Sequence, residues 1–247
     1  MANTDICVND RQHASHVTMS VVKLMSRIVA PSENELTAEE LTRQSEDREL
    51  VLHDHTYGIT SDPLTQFACL FSALIHDVDH TGVPNTQLVK EGSQIAIYYK
   101  GKSVAEQNSV DLAWDLFMSE EFSDLRKAIC VDQTELQRFR QLVVNSVMAT
   151  DIMDAELKAL RNARWEKAFY GKERNEQEND TVARNRKATI VIEHLIQASD
   201  VAHTMQHWHV YRKWNKRLFA ELYKAFQEGR ADKNPVEFWY SGEIGEY

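Results

Sequence analysis

The chain has 247 residues, 43% of them hydrophobic and 27% charged, and its formal net charge at pH 7 is −10. This composition is typical of a globular protein, and the negative charge argues against a general nucleic-acid binder, because nucleic-acid phosphates would repel it. The first residues lack the apolar region of a signal peptide and no apolar run approaches the length of a membrane span, so we expect no membrane partner for this segment.

The first third of the chain predicts two helices and a loop. Residues 12–29 predict an amphipathic helix, because apolar side chains recur along one face: Val17, Val21, Leu24 and Ile28. Thr37, with Glu40 three residues later, predicts a second helix start. The loop that follows contains three side chains of the metal-ligating type, His53, Asp54 and His55. Alternating positions in a loop rich in Gly, Pro and Ser favour solvated polar surface over metal binding.

The most informative segment is an apolar run that ends in histidines and aspartates. Residues 66–75 are apolar almost all round and predict a buried helix. Four polar residues follow within five positions: His76, Asp77, Asp79 and His80. Burying them without partners would cost on the order of several kcal/mol, so the pattern favours a bound metal ion. The alternative is a helix end whose histidines cap the last carbonyls, but capping requires neither aspartate.

Helical patterns also cover most of the remaining chain. Helices are predicted at 86–99, 103–118, 120–130, 132–151, 154–170, 183–200 and 203–228. Gly and Pro are sparse, which favours helices over a sheet. Segment 171–186 is highly charged and almost free of large apolar residues, so it predicts an exposed loop. No second domain boundary is visible, and we therefore expect one all-α domain over residues 1–247.

Two further candidate ligands lie far from this motif in the sequence. His13 starts the first predicted helix, and Asp200 follows the apolar run 190–199. With His76 and Asp77 they make a set of two imidazoles and two carboxylates from three helices. Mixed nitrogen and oxygen ligation suits zinc, and a carboxylate shared with a second ion suits Mg²⁺ or Mn²⁺. Two such ions are a known arrangement for attack of hydroxide on phosphorus.

The segment from His76 to Asn85 resembles the signature of class I 3′,5′-cyclic nucleotide phosphodiesterases, helical hydrolases of the HD superfamily. Four other segments match in family order: 103–107, 149–151, 198–200 and 242–245. The resemblance implies a compact, all-α, multi-helix domain with a metal site at the helix ends. It also implies hydrolysis of cyclic AMP or cyclic GMP to the 5′-monophosphate by a two-metal-activated hydroxide, in cyclic nucleotide signalling.

The resemblance also implies a role for each matching residue. The ligands of the first metal would be His13, His76, Asp77 and Asp200, with Asp77 also reaching the second ion. His80 would lie beside the substrate phosphate, and Glu106 would orient the catalytic histidine. Thr150 and Asp151 would lie near the hydrated metal, and His203 would line the nucleotide pocket. His207 lacks a nearby glutamate, which favours surface or packing for it.

Two residues depart from the family pattern. Asn9 stands where the family's general-acid histidine is expected, and an amide cannot transfer a proton. His16, one turn after His13, is an alternative donor, although helix geometry places it on the C-terminal side of that residue. Glu243 stands where the family carries a glutamine that binds the purine. A carboxylate only accepts hydrogen bonds, which favours the donors of guanine and hence cyclic GMP.

The resemblance further implies a domain shortened at both ends, and it leaves open whether a longer parent carries flanking regulatory or cyclase domains. Two alternatives stay open at this point. One is a catalytically impaired relative that binds metal or nucleotide as a regulatory module, and the other is a hydrolase of a different phosphoester. Three cysteines without metal-site spacing, Cys7, Cys69 and Cys130, favour a reducing, cytoplasmic location, or the cytosolic face of a membrane if the parent is anchored.

Overall fold

The structure is a computed structural model that describes residues 11–28, 53–170 and 180–237. Asn9, Glu243, the predicted helix start at Thr37 and the charged residues 171–179 lie outside the described residues. Helices form almost all of the regular structure in the described ranges, and no strand occurs there. The prediction of an all-α fold is therefore confirmed. Within the same ranges, no helix is both long enough and apolar enough to cross a membrane.

Residues 53–55 and 235–237 are helical, and ten further α-helices lie complete within the described ranges. They are α1 (Arg11–Met25), α2 (Pro63–Ile75), α3 (Asn85–Lys90), α4 (Gln94–Tyr98), α5 (Val104–Met118), α6 (Ser123–Ile129), α7 (Gln133–Met148), α8 (Ala155–Phe169), α9 (Asp180–Asp200) and α10 (Trp208–Gln227). Short 3₁₀ helices precede α6 and α10, at Glu120–Phe122 and Ala202–Met205.

Helix α2 is the central element of the fold. Asp62 caps its N-terminus by accepting a hydrogen bond from the Leu64 amide, and Pro63 occupies the first turn, where its missing N–H costs nothing. One side of α2 packs against α1 and the other against α7, while α1 also contacts α9. The buried helix predicted at 66–75 is therefore present, with an earlier start. Because α2 ends at Ile75, the polar residues that follow emerge from the middle of the core.

Two apolar clusters flank α2. The first joins α1, α2 and α9 through fully buried side chains, among them Val17, Val21, Ala73, Ile192 and Ile196. The second joins α2, α5 and α7 around Phe139, which is completely buried. Its ring lies 5.5–5.7 Å from those of Phe67, Phe71 and Phe117. Together the clusters fix the directions of the three helices whose ends converge on the polar site.

The structure corrects three predicted elements. The helix predicted at 86–99 is split into α3 and α4, because Gly92 adopts a left-handed φ of +62°. The helix predicted at 203–228 is interrupted by extended backbone at Gln206. The exposed loop predicted at 171–186 is wrong for 180–186, because the helix predicted at 183–200 begins at Asp180.

Tertiary contacts explain why this charged stretch is helical. Arg184 pairs with Asp54 at 3.1 Å, and the Lys187 ammonium lies 5.7 Å from the ring centroids of both Tyr57 and Phe169. These partners lie on other elements, so the local composition gave no sign of them. Neighbouring elements thereby hold the first turns of α9 in place, although few large apolar residues are present there.

Candidate metal centre

His76 caps the C-terminus of α2 and is only 1% exposed. Its Nδ1 lies 3.0 Å from the Ala73 carbonyl oxygen, three residues earlier in the same helix. Since a carbonyl only accepts, Nδ1 carries a proton, and Nε2 is the ring atom that could bind a metal ion in exchange for its own proton. Nε2 is buried without a hydrogen bond of good geometry and lies 3.1 Å from Asp77 Oδ2. This arrangement directs Nε2 into the interior of the site.

Two other helices bring the remaining candidate ligands to the same point. His13, on α1, is 4% exposed, and its Nε2 lies 3.0 Å from Oδ1 of Asp200 at the end of α9. The same nitrogen lies 3.5 Å from Asp77 Oδ2. One ligand atom from each of His13, His76, Asp77 and Asp200 lies within 4.8 Å of the others. The four residues named from the sequence thus form one cluster, which we call the quartet.

The electrostatics of the quartet favour an added cation. Burial lowers the pKa of the His76 imidazole, but Asp200 and Asp77 outweigh it and raise that pKa to about 10. Burial likewise opposes the charge of Asp200, yet His13 and His76 bring its pKa below the usual range. Without an ion, protons must balance the two carboxylates. Two nitrogens and two oxygens converging at a buried point fit a divalent ion such as zinc.

A second polar cluster lies around Asn85, at the start of α3. The Asn85 amide nitrogen donates to Glu106 Oε2 at 2.8 Å and to Asp151 Oδ2 at 3.3 Å, while its oxygen accepts from the Ala105 amide at 2.9 Å. The Ser103 hydroxyl donates to the same Asp151 oxygen at 2.7 Å. Burial and the nearby Asp151 charge raise the pKa of Glu106, although the Asn85 hydrogen bond opposes them.

Sequence reasoning gave no role to Asn85 or Ser103. The only signal was their presence in motifs that also hold His80 and Glu106, and their partners are distant in sequence. Thr150, grouped with Asp151 from the sequence, donates its hydroxyl proton to the Val147 carbonyl at 2.7 Å and so closes the end of α7.

The turn after α2 fixes His80. The Gly82 amide donates to His80 Nδ1 at 3.1 Å. Gly82 has a φ of +76°, and a Cβ there would lie 2.6 Å from Glu221 Oε1 of α10, so a larger residue would strain the turn. Asp79, which has a φ of +62°, accepts from Asn108 Nδ2 at 3.1 Å. Asp79 is therefore held by α5 and does not join the quartet.

An aromatic group on α1 and α10 borders the quartet on another side. The Trp214 ring centroid lies 5.6 Å from that of His13, 5.4 Å from that of His16 and 5.8 Å from that of His203. His16 Nε2 accepts from Gln206 Nε2 at 3.0 Å, and burial lowers the pKa of its imidazole. A neutral imidazole whose Nε2 already accepts a hydrogen bond is poorly suited to donate a proton. These contacts argue against His16 as the missing acid.

The other candidates from the sequence lie away from the quartet. His53 Nδ1 lies 2.6 Å from the Ser61 hydroxyl, and His207 is exposed beside His209. An open, largely apolar cleft of about 970 Å³ lies on the outer face of α1, between α2, α5 and α6. It touches the quartet through Asp77, and His203 is not part of its lining.

Comparison with known proteins identifies relatives of this chain. The chain resembles the human dual specificity calcium/calmodulin-dependent 3′,5′-cyclic nucleotide phosphodiesterase 1C, with 26% identity over 160 residues, 64% of this chain and 20% of that protein. The Drosophila melanogaster dual specificity enzyme 1 is 26% identical over 170 residues, 68% of this chain and 18% of that protein. The chain thus spans about a fifth of the length of these curated relatives.

A similar fold occurs in the crystal structure of the phosphodiesterase domain of the RhoPDE fusion protein from the choanoflagellate Salpingoeca rosetta. The TM-score is 0.56 at 20% identity, and the match covers 86% of this chain and 71% of that one. The model of the 3′,5′-cyclic nucleotide phosphodiesterase family matches residues 10–242, nearly the whole chain. The chain therefore belongs to the 3′,5′-cyclic nucleotide phosphodiesterase family.

Proposed function

We propose that this chain hydrolyses 3′,5′-cyclic nucleotides to 5′-nucleoside monophosphates. The observation that carries the proposal is the quartet, in which two imidazoles and two carboxylates from three helices meet within 4.8 Å. Such a group suits divalent cations, and the family in which it occurs acts on phosphodiesters. The specific ions we propose are zinc in the quartet and Mg²⁺ or Mn²⁺ beside it.

Bound divalent cations would polarise the phosphoryl oxygens and lower the pKa of water, so that hydroxide forms at neutral pH. His13, His76, Asp77 and Asp200 would hold the first ion, and the Asp77 carboxylate would also reach the second. His76 is oriented for this role by its hydrogen bond to Ala73. A second hydrogen bond of this kind fixes the tautomer of a metal-binding imidazole and raises its basicity.

Residues around the quartet would position the substrate and water. We assign His80, held by the Gly82 amide, to the phosphate, and Asp151 with Thr150 to the hydrated second ion. His203 and Glu243 would contact the nucleotide. Asn9 stands where the resemblance places the histidine that Glu106 would orient, and the Glu106 carboxylate accepts a hydrogen bond from Asn85. The departing 3′-oxygen therefore has no evident proton donor among these residues.

Restoring that donor tests the proposal. Asn9→His should raise cyclic nucleotide hydrolysis by at least about tenfold, because general acid catalysis contributes about 10²–10⁴ in rate. Metal content, measured by atomic absorption after dialysis, should stay unchanged. Asn9→Ala serves as the matched control and should not raise the rate of hydrolysis. If metal is bound but Asn9→His gains nothing and the native chain has no measurable turnover, the chain is a regulatory module that binds metal or nucleotide without hydrolysing it.

Nucleotide preference is expected to depend on Glu243. A carboxylate accepts two hydrogen bonds from the guanine edge but meets an acceptor on adenine, and one unmatched buried group costs about 1–3 kcal/mol. We expect kcat/KM for cyclic GMP to exceed that for cyclic AMP by about tenfold or more. Glu243→Gln should narrow the difference, because an amide both donates and accepts. A native preference for cyclic AMP would contradict this assignment.

A further inference from the structure

The segment 201–220 is basic although the chain as a whole is acidic. It contains no Asp or Glu, yet it carries Arg212, Lys213, Lys216 and Arg217, in a chain with a net charge of −10. The segment covers the 3₁₀ helix Ala202–Met205 and the first half of α10. Positive charge is thus concentrated at one end of one helix.

The outer face of α10 presents three of these cations, Arg212, Lys213 and Lys216, together with the exposed ring of Trp208. Trp208, Arg212 and Lys216 are four residues apart and form one stripe, and Trp214, 5% exposed, lies on the opposite, buried face. Trp208 is 69% exposed, and Met205, just before the helix, is 72% exposed. We define the α10 patch as Met205, Trp208, Arg212, Lys213 and Lys216.

The cations of the α10 patch differ from lysines elsewhere on the surface. Lys90 pairs with Asp232 at 3.0 Å and Lys102 with Glu156 at 3.2 Å. Arg212, Lys213 and Lys216 are exposed, and none of them forms an ion pair within the ranges that the structure describes. No carboxylate among the described residues neutralises their charge, so it is available to a binding partner.

We propose that the α10 patch docks this chain on an anionic phospholipid surface. Clusters of Lys and Arg are attracted to anionic headgroups, and tryptophan is enriched at the membrane interface, where its ring is partly apolar and partly wet. An acidic protein segment would neutralise the cations but would leave the indole of Trp208 and the thioether of Met205 without an apolar environment. An anionic lipid surface offers headgroups to the three cations and an apolar environment to the side chains of Trp208 and Met205.

Neither the acidity of the chain nor the lack of a spanning helix in the described ranges opposes this docking. At an ionic strength of about 0.1 M the Debye length is about 10 Å, so carboxylates on the far side of the molecule are screened from the headgroups. The sequence-based expectation of no membrane partner considered only segments that cross a bilayer. A surface contact through one helix face needs no such segment.

Docking through the α10 patch would place the quartet close to the membrane. The buried face of the same helix carries Trp214, whose ring centroid lies 5.6 Å from that of His13. The proposal itself does not depend on catalysis, since it concerns only the outer face of α10. Binding to lipid can therefore be measured whether or not the chain hydrolyses cyclic nucleotides.

Cosedimentation with vesicles tests the proposal on the full chain. Binding is expected to vesicles of phosphatidylserine and phosphatidylcholine, and not to vesicles of phosphatidylcholine alone. It should weaken steeply between about 0.05 M and about 0.5 M salt, because surface charges are screened. The triple variant Arg212→Ala, Lys213→Ala, Lys216→Ala should bind on the order of 100-fold more weakly, at about fivefold per charge. Trp208→Ala should weaken binding about fivefold through its lost apolar contact.

Matched controls separate the patch from general charge effects. Lys23→Ala, Lys158→Ala, Lys167→Ala removes the same charge from exposed sites on α1 and α8, and Tyr98→Ala removes an aromatic ring that is 74% exposed. Both controls should bind like the native chain, and circular dichroism should show all variants folded. Equal binding to neutral vesicles, no binding to anionic ones, or an equal loss in the control triple would overturn the proposal. So would concentration-dependent self-association that the patch triple abolishes, because a second copy would then occupy the patch.

Discussion

Asp200→Ala is expected to empty the quartet of metal and to lower cyclic nucleotide turnover by about a thousandfold or more. Asp200 Oδ1 lies 3.0 Å from His13 Nε2 and 3.5 Å from His76 Nε2, so this carboxylate, like that of Asp77, contacts both imidazoles. Loss of metal removes several kcal/mol of charge stabilisation in the transition state, and each 1.4 kcal/mol is about tenfold in rate. Metal content after dialysis is the first measurement, and hydrolysis is the second.

A surface carboxylate provides the control for this variant. The Asp232 side chain is 84% exposed and pairs with Lys90 at 3.0 Å. Asp232→Ala should change neither metal content nor turnover, because exposed ion pairs contribute about 0–1 kcal/mol. Full metal occupancy in folded Asp200→Ala would show that the quartet is not the metal site. Loss of metal with turnover unchanged would instead show that the ion in the quartet is not required for hydrolysis.

Phe139→Ala is expected to lower the free energy of unfolding by about 3–5 kcal/mol, the usual effect of removing a buried aromatic ring. Phe139 is completely buried, and the rings around it come from α2 and α5: Phe67, Phe71, Trp114 and Phe117. Contacts between aromatic rings add to the effect of burial alone. Such a loss is a large part of the roughly 5–15 kcal/mol that stabilises a typical domain.

Urea unfolding followed by circular dichroism measures this effect. Leu160→Ala is the control, because Leu160 lies on α8 and is 55% exposed. Its substitution should change the free energy of unfolding by about 0.5 kcal/mol or less. If Phe139→Ala cost no more than Leu160→Ala, the aromatic cluster would not be the main contact between α2 and α7.

The sequence predicted the centre of the site better than its surroundings. His76 and Asp77 were predictable because an apolar run leads directly into them, and an interior site follows from such a run. His13 and Asp200 each lie on an amphipathic or apolar helix, which made them candidate ligands, and the family resemblance supported their grouping with the pair. The structure brings the four together at 3.0–3.5 Å. The aromatic group around Trp214 gave no signal, because its rings come from three separate segments.

Contacts between distant segments explain what was missed. Asn85 bonds to Glu106 and Asp151, which lie 21 and 66 residues further along the chain. Neither spacing leaves a periodic pattern in the sequence. Helix α9 was predicted to begin at 183 and begins at Asp180, and Arg184, close to this end, pairs with Asp54, on an element far from it in sequence. The composition of a segment indicates only its own conformational preference. These contacts depend on residues that lie elsewhere in the sequence.

The contact between His13 and Asp200 joins residues 187 positions apart. An ion held between them would cross-link α1 to α9, because one ligand comes from each helix. A ligand that binds only the folded form stabilises it by mass action. Fraying of α1 would therefore release the ion, and chelation would loosen α1. Metal occupancy would then measure how much of the protein has α1 packed against α9.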